Sequence, residues 1–284
     1  MSEHYSINVN GRLMQFDTPV VMGVLNVTPD SFYAGSRLGG EEALLAAARG
    51  MLDAGAAILD IGACSTRPSG EPVSEADELK RLHAALDVLD KHLPGAVVSL
   101  DTYRGAVARE CARNHNVSII NDVSGYDWDS EMLSVVASLN IPYILTHSQG
   151  WAGKAGSYSA MVPDILTSLA SKMWQLRSMG VKDVIVDPGF GFGKSVEQNY
   201  ELLVSLPAFK MLDAPLLVGL SRKSMITKLL SVEAADALAG TVALNMAALQ
   251  RGAHILRVHD VKEAVQVVAL YEAVKAAEQR VAVI

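Results

Sequence analysis

Eight short apolar runs recur along the chain, at residues 20–25, 57–61, 97–100, 118–120, 143–145, 184–186, 216–218 and 254–256. Between and after them, apolar positions take on helical spacing over 41–54, 75–91, 105–114, 130–139, 163–179, 196–206, 234–250 and 261–281. Gly55, Gly180 and Gly252 stand just past three of these stretches, where a left-handed cap ends a helix. Apolar strands alternating with helices predict repeated βα units, and about 35 residues per unit is the spacing of a closed barrel. The expected fold class is α/β, a single (β/α)8 TIM barrel domain over 1–284. Ahead of the first strand, apolar and polar residues alternate around Asn10-Gly11, a pair suited to the positive φ angles of a type I′ turn. This predicts an N-terminal β-hairpin over 5–16 that plugs the bottom of the barrel. Segments 26–40 and 62–74 are rich in Gly, Pro, Ser and Thr, break both rhythms, and read as mobile loops over the barrel mouth.

The polar residues that close each run carry the functional signal. The runs end at Asn26, at Gly62 with 65–67 beyond it, at Asp101, Asn121, His147, Asp187, at 221–223 and at 257–259. Residues at the C-terminal ends of barrel strands converge on one face. A ring of carboxylates, amides and cations there predicts an anionic-ligand site with acid/base capacity.

Composition narrows the class. The chain has 284 residues, 50% of them hydrophobic and 19% charged, enough for one large core. Its formal net charge of −7 argues against a nucleic-acid partner, so an anion must be caught by local cations. Residues 1–10 lack a basic start and an apolar core, and no apolar run approaches bilayer length, which predicts a cytoplasmic protein with no membrane partner. The two cysteines, Cys64 and Cys111, have no CxxC or His-rich neighbourhood and read as free thiols.

Three stretches hold candidate chemistry. The segment DPGFGFGKS at 187–195 satisfies neither the phosphate-loop spacing nor the dinucleotide fingerprint. What remains is a strand-end carboxylate, Asp187, before a backbone able to bend sharply, with Phe190 and Phe192 available to stack. The same residues would also serve a helix-initiating turn with core phenylalanines. A carboxylate can hold the amino-amidine edge of a planar heterocycle through paired hydrogen bonds, and Asp101 and Asn121 would add to that array. The second stretch, SRKS at 221–224, sets two cations beside two hydroxyls after strand seven, and the third puts Arg257 and His259 on one side of an extended strand. With Asn26 these could hold a diphosphate bridged by Mg2+, which commonly takes few protein ligands. Paired carboxylates also fit glycoside hydrolysis, a reading that leaves the Lys/Arg/His cluster without a task.

The motifs VMGVLNVTPDSF at 21–32, DIG at 60–62 with STRP at 65–68, DPGFGFGK at 187–194, GLSRKSM at 219–225 and RVHDV at 257–261 resemble those of dihydropteroate synthases, in order and over nearly the whole chain. The resemblance implies a usually dimeric TIM barrel. It joins p-aminobenzoate to 6-hydroxymethyl-7,8-dihydropterin diphosphate in folate biosynthesis by an SN1-like route, and it is a sulfonamide target. Carried over by position, it implies pterin binding by Asp101, Asn121, Asp187, Lys223, Phe192 and Gly219. It implies diphosphate binding by Asn26, Arg67, Arg257 and His259, with Mg2+ on Asn26. It further implies p-aminobenzoate binding by Thr66, Arg67, Pro68, Phe192, Lys223 and Ser224, and catalytic roles for Asp101, Asp187, Lys223, Arg67, Arg257 and His259. Departures from the common pattern are Ala34 for Asp, Cys64 for Glu, and altered residues at 102–104 and 146–150. A pterin-binding methyltransferase, which shares an Asp/Asn/Asp pocket but has less use for the cations at 221–224 and 257–259, is one alternative, and Ala34 leaves open a pterin-binding protein without synthase activity.

Overall fold

The structure is a computed structural model that describes residues 4–27, 37–64, 73–148 and 158–281. Strands β1 (Ser6–Val9) and β2 (Arg12–Gln15) pair antiparallel, with Asn10 at φ 52° and Gly11 at φ 80° forming the expected turn. Eight strands then follow in parallel: β3 (Val20–Asn26), β4 (Ile58–Gly62), β5 (Val98–Asp101), β6 (Val117–Asp122), β7 (Tyr143–Thr146), β8 (Val184–Asp187), β9 (Leu217–Val218) and β10 (Ile255–Val258). Their order is β8-β7-β6-β5-β4-β3-β10-β9, and a bridge between Val186 and Leu216 joins the two ends. The predicted barrel is therefore the observed one.

Side chains alternate across the strands and so divide the core in two. Leu59, Leu100, Ile120, Leu145, Val186 and Leu256 point outward into the layer shared with the helices. Met22, Ile58, Ile119, Ile144, Ile185, Leu217 and Ile255 point inward, where Ile7, Val9 and Phe16 of the hairpin complete the same apolar cluster. The hairpin thus closes the N-terminal end as expected. Asn10 ties its tip to Asn116 (2.7 Å) and Ser118 (2.8 Å). Two residues further along five of these strands the inward position is polar, at Asp60, Asn121, Thr146, Asp187 and Arg257, and these face the opposite end.

The helices are α1 (Arg37–Asp53), α2 (Glu75–His92), α3 (Gly105–Asn114), α4 (Glu131–Leu139), α5 (Tyr158–Ser178), α6 (Val196–Val204), α7 (Ser224–Leu230), α8 (Leu238–Leu249) and α9 (Val261–Val281). Three depart from the sequence expectation. Helix α1 starts inside the segment read as a loop over 26–40, because Gly39 and Gly40 in its first turn are poor helix formers that mask the start. Helix α5 begins five residues before Pro163, which forfeits a single backbone bond there. The stretch 234–250 holds a 3₁₀ turn at Ala234–Asp236 before α8, while α7 is too short to show a period. Of the two expected loops, 28–36 and 65–72 lie outside the described residues. Gly62 belongs to β4, and Ser74 caps α2 by accepting a hydrogen bond from the Asp77 amide (3.1 Å).

Candidate active site

The polar inward positions form a belt at the C-terminal mouth. Asn26, Gly62, Asp101 and Asn121 stand side by side on β3, β4, β5 and β6. Gly62 makes room for its neighbour, since a Cβ there would lie 3.1 Å from the Cβ of Asp101. Arg257 on β10 reaches across the barrel: its Nη2 donates to Asp101 Oδ2 (2.6 Å) and its Nε to Asp60 Oδ2 (2.6 Å). Asn121 Nδ2 donates to that same Asp60 oxygen (3.0 Å). A carboxylate only accepts, so this contact turns the Asn121 carbonyl oxygen away from Asp60.

Asp60 is the residue the sequence reading left out of the site. It is fully buried two positions before the end of β4, and its Oδ1 has no hydrogen-bond partner. A charged residue inside an apolar strand run was itself the signal, since buried carboxylates need partners.

The opposite side of the belt is built by the glycine-rich turn after β8. The Gly189 amide donates to Asp187 Oδ1 (2.8 Å). Gly189 has φ 78°, and a Cβ there would lie 1.8 Å from the His147 carbonyl oxygen, so only glycine fits. Lys223 leans over this turn, donating to the Phe190 carbonyl (2.5 Å) with its ammonium 5.2 Å from the centre of the Phe192 ring. Gly219 lies beside both cations, with the position of a Cβ there 3.7 Å from Lys223 Nζ and 3.9 Å from Arg257 Cβ, ordinary contact distances. The expected Asp101, Asn121, Asp187, Lys223, Phe192, Gly219 and Arg257 therefore converge.

Burial sets the electrostatics. It pushes the Asp101 carboxyl up to about 7 against the pull of Arg257, with Asp60 adding to the rise. It also raises Asp187, opposed by Lys223 and the Gly189 amide. Burial lowers Lys223 to about 8 although Asp187 favours its charge. Arg257 moves the other way, its burial outweighed by the attraction of Asp60 and Asp101. Three carboxylates and two cations share one mouth, Asp60 and Asp187 buried and Asp101, Lys223 and Arg257 partly so, and a ligand that replaces one partner redistributes the rest.

The cations after β9 divide, which corrects the reading of 221–224 as one anion cluster. Arg222, held at φ 56°, turns its guanidinium onto Asp260 in a two-point pair (2.9 and 2.7 Å) and onto the carbonyls of Ala234 and Ala235. It stitches the loop after β9 to the one after β10. Ser221 Oγ lies 3.0 Å from His259 Nδ1 and reinforces the join. Ser224 is exposed at the start of α7, and Asn26 ends β3 on the strand next to β10. Thr66, Arg67, Pro68 and Ala34 lie outside the described residues.

Cys64 acquires a structural setting. Its Sγ lies 3.6 Å from Arg104 Nη1, and Arg104 also pairs with buried Glu78 and donates to the Val73 carbonyl (2.7 Å). Thr102 donates to the other Glu78 oxygen (2.7 Å). Burial and Glu78 push the Cys64 thiol up to about 12, and burial does the same for Cys111, so both free cysteines are held as neutral thiols.

A barrel whose mouth offers acceptors at Asp101, Asp187 and the Asn121 carbonyl, and donors at Lys223 and Arg257, suits a flat nitrogen-rich ring. The profile of the pterin binding enzymes matches residues 22–259. A dihydropteroate synthase of Bacillus subtilis is 38% identical over 89% of this chain and 88% of its own length. The Yersinia pestis dihydropteroate synthase, solved in a sulfonamide drug complex, superposes with a TM-score of 0.87 at 36% identity, covering 96% of this chain and all of that one. The Xanthomonas albilineans dihydropteroate synthase solved with 4-aminobenzoic acid also gives 0.87 at 36% identity, covering 97% and 99%. The chain belongs to the dihydropteroate synthase family.

Proposed function

We propose that this barrel performs the reaction of its family, joining p-aminobenzoate to 6-hydroxymethyl-7,8-dihydropterin diphosphate to give 7,8-dihydropteroate and diphosphate. The observation that carries this reading is the convergence of Asp101, Asn121, Asp187, Lys223 and Arg257 at one end of the barrel. In the reaction the bond from the pterin methylene to the diphosphate oxygen breaks first, and its electron pair leaves with the diphosphate. The methylene cation then forms a bond with the arylamine nitrogen, which gives up a proton. Asp101 and Asp187 hold the ring edge and stabilise the positive charge that develops on it, while Arg257 and His259 offset the negative charge that leaves, a role the family resemblance also gives to Arg67. Thr66, Pro68, Phe192, Lys223 and Ser224 make up the reading's p-aminobenzoate site.

Among the described residues no three His, Cys, Asp or Glu side chains gather as a metal cage, and Asn26 offers one amide oxygen at the end of β3. That donor set fits Mg2+ shared with substrate phosphates. When bound there it would neutralise the leaving diphosphate. A homodimer is part of the same reading. It is supported by apolar side chains left exposed at Val204 on α6, Met211 on the 3₁₀ helix Leu206–Leu212 and Leu229 and Leu230 on α7. No helix among the described residues is long and apolar enough to cross a membrane, which supports a cytoplasmic enzyme.

The test is to incubate the purified protein with the pterin diphosphate and Mg2+, with and without p-aminobenzoate, and to follow dihydropteroate by chromatography. Product that requires both substrates is expected. Pterin binding without product would replace this reading with a binding-only or methyl-transfer one.

A further inference from the structure

Lys194 has no part in the chemistry above, yet it is 8% exposed and lies directly behind the site. Its ammonium donates to the Gly189 carbonyl (2.7 Å) and the Phe192 carbonyl (3.2 Å), the two sides of the glycine-rich turn. Its third contact is His147 Nδ1, at 3.5 Å. An ammonium has no lone pair, so His147 accepts there and carries its proton on Nε2. Burial, with Lys194 and Lys172 beyond it, holds His147 down at about 4, so the imidazole beside Lys194 is neutral. The other charged groups facing Lys194 are Asp187 and Lys223.

The turn needs such a clamp. Gly189, Gly191 and Gly193 have φ of 78°, 82° and 57°, three left-handed glycines within five residues, so the free chain has much freedom to lose here. Asn199 supplies a second tie by accepting from the Gly191 amide (2.7 Å). What the turn presents to the site is the Phe190 carbonyl and the Phe192 ring, the two groups that hold the Lys223 ammonium.

We infer that Lys194 is a positioning residue for Lys223: by drawing the Gly189 and Phe192 carbonyls onto one buried ammonium, it fixes the turn that sets Lys223 against the pterin. The inference rests on the proposed pterin site and adds to it a residue that never touches the ligand.

The experiment measures pteroic acid binding by titration calorimetry to the wild type, K194M, K223M and the double variant, with thermal denaturation of each. K194M removes all three donated hydrogen bonds and is expected to weaken binding about tenfold. In the K223M background the same change is expected to cost less than about twofold, because its route to the ligand is already gone. A role in general stability alone would lower the melting temperature and leave the affinity losses additive. Additive losses, or an unchanged affinity in K194M, would overturn the inference. K194Q keeps one donor, serves if K194M does not fold, and is expected to show the same coupling with a smaller loss. A wild type that binds pteroic acid and makes no dihydropteroate would fail the synthase reading while leaving the Lys194 coupling to be judged on binding.

Discussion

Asp101 and Lys223 set opposite limits on pH. Burial has raised Asp101 to about 7, so as pH falls through that value its charge is lost, one of its oxygens becomes a donor, and its hold on Arg257 weakens. Burial has lowered Lys223 to about 8, so its ammonium is lost as pH rises. The kcat/KM for the pterin diphosphate is therefore expected to form a narrow bell with its maximum between the two. A profile flat from about pH 6 to about pH 9 would contradict the assignment. K223M is expected to reduce kcat/KM by about 10²-fold, since it removes a donor to the ring in a partly buried site. At Gly189 the constraint is steric. G189A should lose at least about 2 kcal/mol in urea denaturation, because the new methyl meets the His147 carbonyl in a conformation that already disfavours a side chain. Asp101, Asn121, Asp187 and Arg257 were legible because each ends an apolar run. Arg222 was not, because its direction depends on one left-handed backbone angle, and the Glu78–Arg104 pair was not, because its partners lie far apart in sequence on α2 and just before α3.

The N-terminal hairpin and the active-site turn work at opposite ends of the same strands. Ile7, Val9 and Phe16 fill the barrel bottom against Met22, Ile58 and Ile255, while the polar belt begins two residues further along most of the strands. F16A should cost about 3 kcal/mol of stability by opening a cavity, with the KM values changed little. A variant whose KM shifts as much as its stability would show that the plug and the mouth are coupled through the strands. Helical period and the Asn10-Gly11 turn made most of these units readable before any coordinates. The exceptions were a helix opening on glycines, one with an internal proline, and one of seven residues, each a place where local chemistry obscures the period.

Taken as a unit, the protein carries a net charge of −7 and still gathers cations at the barrel mouth. It does so by desolvating a few cations and balancing them against Asp60, Asp101 and Asp187. Chelation of Mg2+ is accordingly expected to abolish turnover while leaving the melting temperature of the ligand-free protein unchanged, because the described residues contain no cage for which the metal is a fold requirement. A melting temperature that drops on adding chelator would point to a structural ion instead. Sulfamethoxazole is expected to inhibit competitively with p-aminobenzoate, and activity insensitive to it would count against the proposed p-aminobenzoate site.

The closing seam of the barrel is its thinnest joint. Strand β9 contributes two residues, and the join to β8 is the Val186–Leu216 bridge with the Val186 amide on the Pro215 carbonyl (2.9 Å). Asp187 stands on one side of that joint, and Gly219 and Lys223 on the other. A pterin held by both sides acts as an extra rung across the gap, so occupancy should slow amide hydrogen exchange at 216–218 more than at β5 or β6. Slower exchange there would mean that the ligand completes the cylinder that binds it.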